Sequence, residues 1–329
     1  MLIPRYWAEA QARHQNHHRH WVTVRRAGWS DTSPADAARH AQERLQHALA
    51  RRQAGANEPA REPRVPYNGA DGMPIREEIV ARQGNAIVTR NSYGARCLNT
   101  PDVLFADIDL PHPASASLGC QPLLMLAALS VAAPMAYATG HAPLAAVALG
   151  LMVALAVWQW LQLRRQRHAL ARPVQEQAAL ARVHAFAQSR PAWGLRIYRT
   201  PAGLRVLVTH QRFAPDDPAV SECFEALGVD PTYRRMCLRQ RCFRARVSAK
   251  PWRMGMTGRI RPGTGAWPVA PEDEGPRAAW VARYEAAARG HAACAFMHAL
   301  GAPLTDTHVQ PVLDWHDELC QAHSALPLA

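Results

Sequence analysis

The chain has 329 residues, 48% hydrophobic and 19% charged, which excludes an intrinsically disordered protein and allows one large domain or two modest ones. The net charge of +12 points to polyanions such as nucleotide, nucleic acid or anionic lipid. Lys250 is, however, the single lysine among 38 basic residues, and such arginine use also reads as codon bias toward GC-rich DNA. Seven cysteines, an odd number without Cys-x-x-Cys spacing, exclude a disulfide framework and a zinc ribbon and fit a reducing compartment.

In chain order, the run His14 to His20 reads as a solvated segment rather than a metal site. His20–Ser30 alternates apolar and polar residues and predicts a strand. Ser33 as N-cap, Pro34 at the first helical position and Gly55 as a stop predict a helix with a mostly alanine face. "REEIVARQG" (76–84) predicts a short helix, "NAIVTRNS" (85–92) a strand, and "DVLFADIDLP" (102–111) an apolar strand broken by two aspartates.

No Asp, Glu, Lys or Arg occurs in the 54 residues from Leu110 to Leu163. Pro122–Thr139 and Pro143–Leu163 are each long enough to cross ~30 Å of hydrocarbon as a helix. The short link Gly140–Ala142 then makes them an antiparallel hairpin. Trp158 and Trp160 near one end, with Arg164–Arg167 following, predict a cytoplasmic exit by the positive-inside rule. The expectation is an integral protein of the inner (cytoplasmic) membrane, with the lipid bilayer as partner and both flanking parts in the cytoplasm.

Beyond the spans, Pro173–Pro191 predicts a helix, Gly194–Thr200 and Leu204–Gln211 a β-hairpin around Pro201–Gly203, and Ala219–Gly228 a helix. Arg241–Trp252 predicts a strand and Pro276–Gly301 one long helix. The fold class expected is α+β, a mixed or antiparallel sheet with flanking helices, interrupted by a two-helix transmembrane hairpin. Residues 1–111 and 170–329 would be two parts of one cytoplasmic domain, and 120–163 the inserted hairpin (spans 122–139 and 143–163).

Asp107 and Asp109, two apart on a strand, project to one face. Adjacent carboxylates repel in an apolar setting, and Mg²⁺ or Mn²⁺ would resolve that repulsion. The alternative is that Asp109 caps a turn and Asp107 pairs with an arginine. Asp230 supplies a third acid. Arg205 lies on the second strand of the hairpin. On the strand after Asp230, Arg244, Arg246 and Ser248 share one face, suited to phosphate, and Lys250 follows. There is no Gly-Lys-Ser/Thr phosphate loop in the glycine-rich stretch 255–265. His308, Asp314, His316 and Asp317 read as a solvated helix face rather than a metal cluster.

The order Asp-x-Asp, hairpin, then Val229-Asp230 followed by a basic strand resembles the archaeo-eukaryotic primase–polymerase superfamily. The resemblance implies an RRM-like catalytic sheet. It implies two metal ions on Asp107, Asp109 and Asp230, nucleotide contacts from Arg244 and Lys250, and metal-dependent nucleotidyl transfer. The family's second motif carries a phosphate-binding histidine, and Arg205 stands in that position here, which puts the chemistry in doubt. The nucleotide- and phosphate-binding set expected is Arg205, Arg244, Arg246, Ser248 and Lys250. The competing expectation is a non-catalytic, membrane-anchored interaction or scaffold protein with a basic cytoplasmic domain.

Overall fold

In the computed structural model, which describes residues 3–15, 20–62, 73–110, 142–262 and 267–329, the chain begins with an antiparallel pair of ten-residue strands. These are β1 (Tyr6–Gln15) and β2 (Trp21–Ser30), in register from Tyr6 opposite Ser30 to Gln15 opposite Trp21. β1 has no β-branched residue and is made of Ala, Glu, Gln, Arg and His after its aromatic start, so pairing with β2 overrides its local preference. Helix α1 (Pro34–Gln53) starts where Ser33 Oγ accepts the Asp36 N–H at 3.1 Å. It buries Ala37, Ala41, Leu45 and Ala48. Gly28 of β2 permits this approach: a Cβ there would lie 2.1 Å from the Ala41 nitrogen.

The remaining strands form two four-stranded antiparallel sheets. One has the order β3 (Glu78–Gln83), β4 (Ala86–Arg90), β5 (Arg96–Thr100), β9 (Phe243–Arg246). The other has the order β10 (Ala295–Gly301), β7 (Gly194–Arg199), β8 (Gly203–Val208), β6 (Phe105–Asp109). The helices after α1 are α2 (Ala142–Ser189), α3 (Pro218–Leu227), α4 (Pro231–Gln240), α5 (Pro271–Ala288) and α6 (Gln310–Cys320), and residues Pro251–Met254 make a 3₁₀ turn. Two compact units result, Met1–Asp109 with Arg182–Ala329, and Leu110–Ala181.

Three expectations are corrected. Residues 76–84 are not a helix: Gly84, with φ +54°, and Asn85 form a two-residue turn that folds β3 onto β4, a hairpin signal that outweighs helix propensity here. Pro276–Gly301 is not one helix. α5 ends at Ala288 and Ala295–Gly301 pairs with the β7 edge, a tertiary demand invisible in local pattern.

The third correction concerns the transmembrane hairpin. No helix among the described residues is long and apolar enough to cross a membrane. The expected span 122–139 lies outside the described residues. The expected span 143–163 begins α2, a single 48-residue helix that runs on past Arg164–Arg167 and through Pro173. The integral inner-membrane location, which rested on the hairpin, falls with it.

The edge strands β6 and β9 bring the two four-stranded sheets together. The Tyr233 hydroxyl of α4 donates to the Phe105 carbonyl of β6 at 2.9 Å and accepts the Arg244 N–H of β9 at 3.3 Å. A buried side chain thus satisfies two backbone groups that no ladder partner reaches.

Candidate nucleotide site

β6 and β8 are in register with Asp107 opposite Arg205 and Asp109 opposite Gly203. The guanidinium of Arg205 takes both oxygens of Asp107, Nε to Oδ1 at 2.7 Å and Nη2 to Oδ2 at 3.2 Å. Its Nη1 donates to the Arg246 carbonyl at 2.9 Å and to His316 Nε2 at 3.2 Å. Arg205 is 2% exposed. Burial opposes its charge, but Asp107 outweighs burial and the guanidinium stays protonated, as a buried arginine paired in this way must.

Asp230 caps α4, its Oδ1 accepting the Thr232 N–H at 3.0 Å. Asp109 stands at the open end of β6. Burial raises its carboxyl pKa first, and then the charge of Asp107; Lys250 and Arg246 pull it down, and Asp230 adds a smaller upward push. The aspartates are therefore electrostatic neighbours. Yet among the described residues, the set of three metal-donor side chains with all atoms within 4.8 Å of one another is Cys294, His316 and Cys320, not the aspartates. With both Asp107 oxygens engaged and Asp230 capping a helix, the residues present do not fit a two-metal centre.

The basic strand divides its expected roles. Arg244 is buried and turns away from solvent: its Nη2 binds the buried Glu77 at 2.9 and 2.7 Å, and its Nη1 donates to Asn99 Oδ1 at 3.2 Å. Glu77 also accepts from Thr89 Oγ1 at 2.6 Å. Ser248 is buried as well; its Oγ accepts the Arg96 N–H at 2.7 Å and lies 2.6 Å from the Tyr284 hydroxyl. That hydroxyl donates to the Ala249 carbonyl at 2.7 Å, so Ser248 is the donor between the two. Both residues are structural ties between strands, segments and helices.

Arg246 and Lys250 behave differently. Arg246 lies against the Tyr93 hydroxyl, and its Nε is buried without a hydrogen-bond acceptor among the described residues. Lys250 precedes the 3₁₀ turn, where Pro251 fixes the first position and Gly255, at φ +73°, closes it. The Lys250 ammonium sits 5.4 Å from the Trp252 ring centroid. Tyr93 meets the same indole edge-on at 5.2 Å. Trp252 is 56% exposed. Partial burial first, then the charges of Arg246 and Arg253, lower the Lys250 pKa to about 8, with Asp109 opposing. Cations are crowded here beside a solvent-facing aromatic ring.

No family model matches the chain, and no curated protein and no solved structure matches it.

Sequence reasoning placed Asp109, Arg246 and Lys250 at one site but did not single out Tyr93 and Trp252. Trp252 was legible, since "KPWR" sets an aromatic between two cations beside a proline that exposes it. Tyr93 was not, because β5 and β9 bring it there from 150-odd residues away in sequence.

Proposed function

We propose that the chain binds a phosphate-bearing nucleotide at the β9 exit, with Arg246 and Lys250 on the phosphates and Trp252 stacked on the base. The observation that carries this reading is the crowding of Arg246, Lys250 and Arg253 beside the exposed ring of Trp252. Like charges held together in a half-buried site repel, and a phosphate relieves that repulsion while accepting the buried Arg246 Nε–H. An aromatic face next to such a cluster is the arrangement with which proteins hold unpaired bases. Trp252 lies in contact with Tyr93, which limits its rotation and lowers the entropy lost on stacking.

The reading keeps the nucleotide of the primase–polymerase resemblance and omits its metal-dependent transfer. Arg205, in place of a histidine, neutralises Asp107 from the directly opposite strand position, so this acid is engaged as a structural ion pair. Asp109 remains at the rim, where it repels phosphate when ionised and accepts a sugar or base donor equally well.

The test is titration of the full chain with a nucleoside triphosphate and, separately, with a short single-stranded oligonucleotide. Trp252→Ala and Lys250→Met are each expected to weaken binding at least 10-fold (about 1.4 kcal/mol), with unchanged thermal unfolding. Equal affinity in wild type and both variants overturns the proposal.

A further inference from the structure

Behind Arg205 lies a second cluster that the nucleotide site does not use. His316 and Cys320 are four residues apart on α6, hence on one face of the helix. Cys294 immediately precedes β10. Backbone bonds hold it against the end of α6, Ala293 N–H to the Cys320 carbonyl at 2.9 Å and Phe296 N–H to the Ala322 carbonyl at 2.8 Å. All three side chains are 0% exposed, and their donor atoms lie within 4.8 Å of one another.

We propose that Cys294, His316 and Cys320 bind one thiophilic d¹⁰ metal ion, zinc(II) foremost. Sulfur, sulfur and imidazole nitrogen are the donors that such ions select, and they disfavour Mg²⁺ and Ca²⁺. The imidazole is already set for the task. His316 Nδ1 faces Asp317 Oδ1 at 2.9 Å, and Asp317 is held in turn by Arg196 at 3.0 Å and His323 at 3.0 Å. A carboxylate on one ring nitrogen fixes the proton there and directs the other nitrogen's lone pair into the cluster. Arg205 Nη1 can only donate, so its 3.2 Å contact with Nε2 requires that same neutral tautomer.

The distances fit with little movement. Donors bound to one zinc at ~2.0–2.3 Å lie roughly 3.5–3.8 Å from each other, and Cys294 Sγ to His316 Nε2 is now 4.0 Å. On binding, the two thiols release their protons to solvent and form two metal–sulfur bonds, and Nε2 gives up the Arg205 hydrogen bond for a metal–nitrogen bond. Two thiolates cancel a 2+ charge, which a dry interior demands. Arg205 keeps Asp107 and the Arg246 carbonyl, so its own charge stays balanced.

This site ties α6 to the start of β10 and does not depend on the nucleotide reading. The experiment uses the full chain purified under reducing conditions, loaded with zinc chloride and desalted. Elemental analysis is expected to give one zinc per chain. X-ray absorption on the same sample is expected to show two sulfurs and at least one imidazole nitrogen, a result that requires no variant to fold. Cys294→Ser and Cys320→Ser, checked by circular dichroism, are expected to lose most of the metal, and Cys223→Ser, a buried cysteine elsewhere, to keep it. A protein that retains no zinc overturns the proposal. So does a nitrogen- and oxygen-only shell from the histidine-rich run at 14–20, or a Cys294–Cys320 disulfide that persists under reductant.

Discussion

Arg205 faces Asp107 across the β6–β8 ladder and binds both of its carboxylate oxygens, at 2.7 and 3.2 Å, from a position 2% exposed. The pair converts a candidate metal-binding acid into part of the bond between two sheets, because the same guanidinium also reaches the Arg246 carbonyl of β9. Arg205→Met leaves Asp107 half-buried and unpaired and is expected to cost about 3–5 kcal/mol. The double variant Arg205→Met with Asp107→Asn removes the orphaned charge and is expected to recover at least half of that loss. Urea denaturation of the two singles and the double measures the coupling.

Tyr233 makes a sharper test of how the sheets are joined. Tyr233→Phe keeps the ring and deletes the hydroxyl that serves Phe105 and Arg244. Two buried backbone groups lose a partner, so a destabilisation of about 1–3 kcal/mol is expected. Amide exchange should quicken at Arg244 more than at Leu98, which pairs within its own sheet.

Glu77 and Arg244 form a buried ion pair at 4% and 7% exposure, in which Arg244 Nη2 reaches both carboxylate oxygens. Glu77→Gln keeps the shape and removes the charge, and is expected to destabilise by about 3 kcal/mol or more. Nucleotide binding by the remaining folded fraction should be unchanged, since Arg244 does not face the proposed ligand. Loss of binding without loss of stability would return Arg244 to the ligand site.

The pH dependence of binding should report Lys250. Its pKa of about 8 means the ammonium is charged below pH 8 and neutral above it in the free protein. A bound phosphate favours the charged form and raises that pKa, so affinity is expected to fall as pH rises from about 8 toward 10. Lys250→Arg, charged throughout, should flatten the profile. Calorimetric titrations at pH 7, 8.5 and 9.5 check this.

Acid stability should follow Asp317. Burial opposes its ionisation, but hydrogen bonds with His316, Tyr198 and His323 bring its pKa down to about 2. A depressed carboxyl contributes stability above its unfolded value near 4 that is lost as pH falls through 2. Asp317→Asn is therefore expected to lower the Tm at pH 7 and to narrow its gap to wild type between pH 4 and 2.

Much of the fold could be read locally. Ser33-Pro34 begins α1, and the Pro201–Gly203 turn joins β7 to β8, because caps and turns are decided by neighbouring residues. Apart from the hairpin turn at Gly84 and Asn85, which is itself a local signal, what failed was decided at a distance. β1 is a strand only because β2 lies beside it, and Ala295–Gly301 is a strand only because β7 offers an edge. Of the two spans expected in 110–163, residues 122–139 lie outside the described residues, and no helix among the described residues is long and apolar enough to cross a membrane. At the site, Asp107 and Arg205 were both singled out, but their pairing follows from β6–β8 register. Cys320 lay four residues after His316 in plain view, yet its partner Cys294 arrives from another element, so the cluster was legible only in three dimensions.

The central claim is that this site holds a nucleotide by cations and stacking, without a divalent-metal centre. Binding of a nucleoside triphosphate to the wild-type chain, measured calorimetrically at pH 7.5 with excess chelator and again with Mn²⁺, tests it most directly. The account predicts saturable binding in chelator that Asp107→Asn leaves within a few-fold and Lys250→Met weakens at least 10-fold (about 1.4 kcal/mol). Binding that appears only with Mn²⁺ and vanishes in Asp107→Asn would contradict it.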